Sequence, residues 1–410
     1  MSGETYEFGE FELDTARFQL RRVGAAVNVE PRAFDLLHHL VRHRDRVVPK
    51  TELLDSVWGD RFVSEAALTT ALRTARRVLG DSGVAQRWIR TSHGRGYQFV
   101  GAVASGRPPG VVPAEPTPGP NPTPAPRHEQ DIRFCRAHDG SRIAYASVGS
   151  GPPLFKAANW LSHLDLEWES PVWSHWWEGL ARGRRLIRYD ERGCGLSDWD
   201  VPSSSFDDWV NDLETVVDAI GLERFPLLGV SQGGAVAIAY AARHPERVTR
   251  LVLSGAYARG REVRASDPVE QAAAALDLDL ARVGWAQQDP SFLRVFASQF
   301  LPDGTQQDWE DFTEFQRVTT SPENGVRFFE EFSRIDVSDI AGQVTCPTLI
   351  LHSRGDLRVP TSQAAELATS IPDSRLVMLD SNNHLLTAAE PAWPAFLTQV
   401  ESFLAPHVAD

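Results

Sequence analysis

The run Gly229-Val230-Ser231-Gln232-Gly233-Gly234 is where this 410-residue chain points most directly to chemistry. It is a G-x-S-x-G pattern. An apolar run, FPLLGV, precedes it, and a segment rich in alanine (235, 237, 239, 241 and 242) follows. Glycines around a serine relieve crowding at a sharp strand-to-helix turn, so the Ser231 hydroxyl is expected to stand clear of the backbone. A hydroxyl is a poor nucleophile until a base takes its proton. Four histidines follow: His244, His352, His384 and His407. His352 falls inside an apolar run and His407 lies three residues from the chain end. His244 closes the helix that Ser231 opens, and so points away from it. His384 remains, in the loop-like run LDSNNHLL. An acid must orient the imidazole. Asp356, in Arg354-Gly355-Asp356 after the apolar run LILHS, is the first choice. Asp380 is the weaker one and reads better as a loop-capping carboxylate.

These residues need a frame. From residue 130 onward, β-like runs (RIAYASVG, RRLIRYD, RLVLSGA, PTLILHS, RLVMLD) alternate with helical ones at 206–220, 233–244 and 361–370. Continuous apolar strands alternating with helices predict a mostly parallel, doubly wound sheet. With the order Ser231, Asp356, His384 and the run Tyr189-Asp190-Glu191-Arg192-Gly193-Cys194-Gly195-Leu196-Ser197-Asp198, residues 130–406 resemble an α/β-hydrolase of the esterase/lipase-like superfamily. The resemblance implies a parallel sheet with a helical cap, here at about 257–345. It also implies that Asp190 and Arg192 fix a loop and that Cys194 is a buried small residue. The family usually carries His-Gly after its third strand, followed by a backbone N–H of the oxyanion hole. Here that run is Phe155-Lys156-Ala157-Ala158-Asn159-Trp160, so the implied donors are the backbone N–H groups of Trp160 and Gln232.

A serine at position 231 argues for ester, thioester, lactone or amide chemistry through an acyl-enzyme. It argues against haloalkane dehalogenation, which uses aspartate there. Many aromatic residues in the cap, with tryptophans at 160, 168, 173, 176 and 177, predict an apolar, aromatic-lined cavity for a small carbonyl compound. The acidic balance of this half disfavours anionic substrates. No metal and no organic cofactor are implied.

The first 104 residues read differently. Short β-like runs at 6–29 precede three helices: one beginning at Pro31, one over KTELLDSVWG, and one over EAALTTALRTARRVLG, capped by Ser64 and closed by Gly80. The runs RWIRTS and GYQFVG then form a hairpin. On the third helix Leu68, Leu72, Ala75 and Leu79 share one stripe. Thr70, Arg73, Thr74 and Arg77, flanked by Thr69 and Arg76, make the other, which suits phosphates and base edges. Arg95 at the hairpin tip is placed to enter a minor groove. The element order, Val57-Trp58-Gly59 and Ile89-Arg90-Thr91 through Gly94-Arg95-Gly96-Tyr97-Gln98-Phe99 resemble the OmpR/PhoB-type winged helix-turn-helix. That implies binding to double-stranded DNA through residues 64–79, with contacts from the wing. Neither a receiver domain ahead of it nor a spanning helix after it is present, so the signal is expected from the C-terminal half.

Charge and composition agree with this division. Net charge is −14, yet residues 1–104 are net +2, and 61–104 hold seven arginines against Glu65 and Asp81. Nine of the 27 prolines lie within 105–128, a semi-rigid spacer. The expected domains are therefore 1–104, a winged helix; 105–128, a linker; and 129–410, the hydrolase. Three scattered cysteines exclude a disulfide scaffold or cysteine-rich zinc site. With no long apolar run and no secretory leader, a cytoplasmic protein without membrane contact is expected. The leading expectation is a one-component transcription regulator whose hydrolase half senses, and at some rate hydrolyses, a small apolar ester- or lactone-like compound. A second copy of the chain and RNA polymerase are its further expected partners. The alternatives are a carboxylic-ester hydrolase whose winged helix serves oligomerisation or protein contact, and a regulator whose hydrolase half only dimerises.

Overall fold

The computed structural model describes residues 5–15, 19–27, 29, 31–58, 65–81, 86–92, 95–105, 130–286 and 291–405. Almost all of the proline-rich run, Gly59, Ser64 and His93-Gly94 lie outside the described residues. The chain divides into two compact units, Met1–Pro124 and Ala125–Asp410.

In the first unit, β1 (Thr5–Phe8), β2 (Phe11–Asp14), β3 (Gln19–Arg22) and β4 (Ala25–Val27) form an antiparallel meander. Helices α1 (Pro31–Arg42), α2 (Lys50–Trp58) and α3 (Glu65–Val78) follow, then the hairpin of β5 (Ile89–Ser92) and β6 (Gly96–Phe99). A short β7 (Ala104–Ser105) returns to pair with β1. Leu68, Ala71, Leu72, Ala75 and Leu79 of α3 are buried, as an apolar stripe at helical spacing demands. Gly80, at φ +63°, lets the chain leave the helix, and the Asp81 N–H reaches back to the Arg76 carbonyl at 2.8 Å. The Asp81 carboxylate then accepts the N–H groups of Arg87, Trp88 and Ile89 at 2.8–3.0 Å. One side chain thus sets where the hairpin starts.

The second unit is built on eight strands: β8 (Asp131–Arg136), β9 (Arg142–Val148), β10 (Pro153–Lys156), β11 (Arg185–Tyr189), β12 (Phe225–Val230), β13 (Val248–Ser254), β14 (Thr348–Ser353) and β15 (Ser374–Leu379). Their spatial order is β8-β9-β11-β10-β12-β13-β14-β15. Only β9 runs antiparallel to its neighbours, and β10 to β15 are parallel. Helices α4 (Ser174–Leu180), α5 (Phe206–Ile220) and α6 (Gln232–Arg243) alternate with the strands up to β13. Between β13 and β14 the chain inserts α7 (Arg261–Arg264), α8 (Pro268–Ala286), α9 (Ser291–Phe300), α10 (Gln306–Thr319), α11 (Pro322–Arg334) and α12 (Ser338–Ala341). The fold closes with α13 (Thr361–Ser370) and α14 (Ala392–Leu404). Strands β10 to β14 are almost wholly buried, because helices cover both faces of a parallel sheet. No described helix is long and apolar enough to cross a membrane.

Candidate functional site

Ser231 lies at the turn between β12 and α6, with φ +51° and ψ −125°. A side chain with positive φ is held there by its surroundings. The Ser231 N–H is fixed on the Ser254 carbonyl at 2.8 Å, and the neighbouring glycines admit no side chain. A Cβ on Gly233 would lie 2.5 Å from the Ala158 oxygen, and one on Gly229 would lie 2.6 Å from the Gly234 Cα. Trp160 follows β10, Asp356 follows β14 and His384 follows β15. These are the carboxyl ends of parallel strands, where open α/β sheets place their ligands.

His384 Nε2 stands 2.8 Å from Ser231 Oγ, and His384 Nδ1 stands 2.7 Å from Asp356 Oδ2. With a carboxylate facing Nδ1, that nitrogen carries the proton and Nε2 is left to accept from the hydroxyl. The other Asp356 oxygen accepts the N–H groups of Arg358 and Val359, each at 2.8 Å. Burial pushes the Asp356 carboxyl up, but the facing imidazole and these hydrogen bonds outweigh it, and the group stays below the usual carboxylate range. His352 also approaches Asp356, at 3.6 Å, and bonds the Val359 carbonyl at 2.9 Å. Burial lowers its pKa, so it acts as a neutral brace. Asp380 makes no contact with His384 among the hydrogen bonds of the described residues.

The oxyanion side differs from expectation. The Trp160 N–H does not stand open. It donates to Gln232 Oε1 at 3.0 Å, while Gln232 Nε2 donates to Glu191 Oε1 at 2.9 Å. Only the Gln232 backbone N–H, at the first turn of α6, has no hydrogen-bond partner among the described residues. The cause is chemical. Glutamine in the motif brings a carbonyl oxygen within reach of the nearest unpaired N–H. Behind this bridge lies a charged cluster that the sequence did not announce. Lys156 is buried, bonded to Asn159, and lies 5.3 Å over the Trp177 ring. Burial lowers its ammonium to about 8 and raises the Glu191 carboxyl to about 8. Arg192 grips Asp212 at 2.6 and 2.7 Å and Asp139 at 2.8 Å, and Asp190 accepts from the backbones of Leu164 and Leu196. Both serve the loop. Cys194 is fully buried, and burial raises its thiol far from the reactive range.

A small, partly open cavity of about 30 Å³ lies beside Ser231, room for about two waters. Trp160, Phe300 and Phe332 line it, as an aromatic wall requires, but so do Arg261, Arg264 and Arg358. The expectation of an apolar pocket is therefore half met. The acidic charge of this unit as a whole stops short of its pocket. Trp173, Trp176 and Trp177 are core, with Trp173 and Trp177 stacked at 5.3 Å.

In the first unit the structure corrects the helical wheel at two positions. Thr74 is buried, at 7% exposure, because α1 packs along α3 and widens its inner stripe. Arg76 is drawn back to the hairpin, donating to the Ile89 carbonyl at 2.8 Å and to Thr91 Oγ1 at 2.9 Å. Thr69, Arg73 and Arg77 are half-buried and hold other contacts within the chain. Arg95 is exposed at the start of β6. The Thr70 side chain lies outside the described residues.

The sequence profile of the α/β hydrolase fold matches residues 166–390. The chain belongs to the α/β hydrolase fold family. A second profile, that of the C-terminal domain of transcriptional regulatory proteins, matches residues 24–99, so the first unit is a DNA-binding domain of the OmpR/PhoB type. Similar proteins include the non-heme haloperoxidase of Rhodococcus erythropolis, 30% identical over 61% of this chain and 92% of that protein. The pyrrolizixenacetamide deacetylase of Xenorhabdus hominickii is 26% identical over 64% and 95% of the two chains. Among solved structures, the esterase RhEst1 of a Rhodococcus species superposes with a TM-score of 0.53 at 27% identity, covering 66% of this chain and 98% of its own.

Proposed function

We propose that this α/β hydrolase family member is a ligand-responsive transcription regulator. Its hydrolase unit takes a small carbonyl compound at Ser231, and its winged helix binds double-stranded DNA through Arg73 and Arg77 of α3 and Arg95 of the hairpin. The observation that carries the reading is a Ser231–His384–Asp356 relay at 2.8 and 2.7 Å in a chain that also holds a regulator's DNA-binding domain. His384 takes the Ser231 proton as Oγ attacks the ligand carbonyl. Asp356 holds the imidazolium, and the developing oxyanion faces the Gln232 N–H. Collapse expels the alcohol or amine with the proton from His384, and water then releases the acid by the same route. The similar esterase and deacetylase are named for acyl-group hydrolysis, which supports this chemistry.

The occupied Trp160 N–H favours sensing over rapid turnover. Removing one oxyanion donor typically costs about 10²–10³ in rate, so a ligand is held longer than it would be in an efficient esterase. The DNA half is tested by titrating upstream DNA with Arg73→Ala and Arg77→Ala. Each substitution weakens binding and lowers the salt slope by about one. Unchanged affinity and slope in both variants would assign the winged helix to protein contact instead.

A further inference from the structure

Three guanidiniums, from Arg261, Arg264 and Arg358, line the cavity beside Ser231. The same three line an open cleft of about 880 Å³. They therefore stand at the neck where the two spaces adjoin. Arg358 is 7% exposed and stacks over the rings of Phe300, Phe329 and Phe332 at 5.4–5.8 Å. Arg264 lies 5.9 Å from the Tyr257 ring centroid.

The direct ion pairing is uneven. Asp277 accepts from Arg358 Nη1 at 2.7 Å and also from Arg261. Among the described residues Arg264 donates only to the main-chain carbonyls of Arg259 and Arg358, at 3.2 and 3.1 Å. The remaining acids nearby are engaged elsewhere: Glu366 with Arg259, Glu270 with Ser266, and Asp356 with His384. Asp277 thus bonds two of the three guanidiniums, and among the described residues Arg264 makes no ion pair with a carboxylate. Burial lowers the Arg264 guanidinium to about 10; Arg358 and Arg261 add to this, and Tyr257 and Asp356 oppose it. Gathering cations in a half-dry site is costly unless an anion arrives. Trp160 Nε1, on the same wall, is a buried donor with no hydrogen-bond partner among the described residues. Arginine forks match planar or tetrahedral oxyanions with paired hydrogen bonds, which suits recognition better than bracing.

We propose that the compound bound at Ser231 carries, besides its carbonyl, an anionic oxygen group held by Arg264, Arg358 and Arg261. The ligand class is then an acid ester or acid amide, with a carboxylate or phosphate a few bonds from the acyl carbon. This rests on the reading of Ser231 as the ligand-binding serine and narrows it.

The test is calorimetry on the full-length Ser231→Ala protein, which leaves esters intact. The probes are monomethyl glutarate, its neutral dimethyl ester and inorganic phosphate. The charged monoester should bind about ten- to hundredfold more tightly than the diester. That ratio should fall toward one in Arg264→Gln and recover in part in Arg264→Lys. Phosphate binding more tightly than the monoester, and competing with it, would name phosphate as the anion. Equal or tighter binding of the diester, or a ratio unmoved by both Arg264→Gln and Arg358→Gln, overturns the proposal. Among the described residues Arg264 bonds only main-chain oxygens, so its variants keep the test valid even if Arg358→Gln does not fold. Failure of the serine assignment looks different: wild type and Ser231→Ala would hydrolyse p-nitrophenyl esters equally, whatever the binding ratio.

Discussion

The two sides of Ser231 are finished to different degrees. On the proton side, every atom from Oγ to the Asp356 carboxylate has its partner, and backbone N–H groups and His352 fix the acid in turn. On the oxyanion side, one of two expected donors is closed by the residue next to the nucleophile. On the proposed function, a complete relay beside a half-occupied hole would engage a carbonyl and be slow to let it go. The difference separates forming a bond to a ligand from stabilising its transition state.

The comparison breaks most visibly on the relay side. Asp356→Asn keeps the shape but reverses the imidazole's hydrogen bonding. It should lower kcat on short p-nitrophenyl esters by about 10⁴, at little cost in KM. A loss below about tenfold would mean that Asp356 does not orient the base. The oxyanion side should respond with the opposite sign. Gln232→Met removes the carbonyl that occupies the Trp160 N–H, and kcat should rise by about ten- to a hundredfold. A fall would show that the Gln232 side chain holds the Trp160 peptide in place rather than blocking it.

The smallest effect concerns the acid beneath the bridge. The Glu191 carboxyl, ordinarily near 4.5, is raised by burial to about 8 in the folded chain. Between those values the folded state keeps a proton that the unfolded chain has lost. Stability from this group is therefore full below about 4.5 and declines as pH rises toward 8. Glu191→Gln removes that dependence. Its melting temperature relative to wild type should improve steadily from pH 5 to pH 8. A difference that is flat with pH would show that Glu191 is ionised throughout.

Much of this was legible in the residues. The glycines around Ser231, the apolar runs that became β10 to β15, and the loop position of His384 are local signals read along one segment. The stripe of α3 was legible too, since helical spacing fixes which residues face inward. The missed features all depend on partners distant in sequence. Thr74 and Arg76 look like outer-face residues until α1 and the hairpin are in place. Gln232, Glu191 and Trp160 form a bridge spanning 72 positions, and no periodicity encodes it. The arginines at the pocket neck come from two segments 94 residues apart. Net charge, summed over the whole unit, hides a local reversal of sign.

The central claim is that occupation of Ser231 is read out on DNA. Its most direct test is the affinity of the full-length protein for its own upstream DNA, measured with and without a saturating acid ester in wild type and Ser231→Ala. Ligand should shift the affinity about fivefold or more. That shift should persist in Ser231→Ala, where the ester is bound but not cleaved. Affinity that ignores the ligand in both proteins, while the wild type still hydrolyses it, would contradict the account and leave an esterase joined to an independent DNA-binding domain.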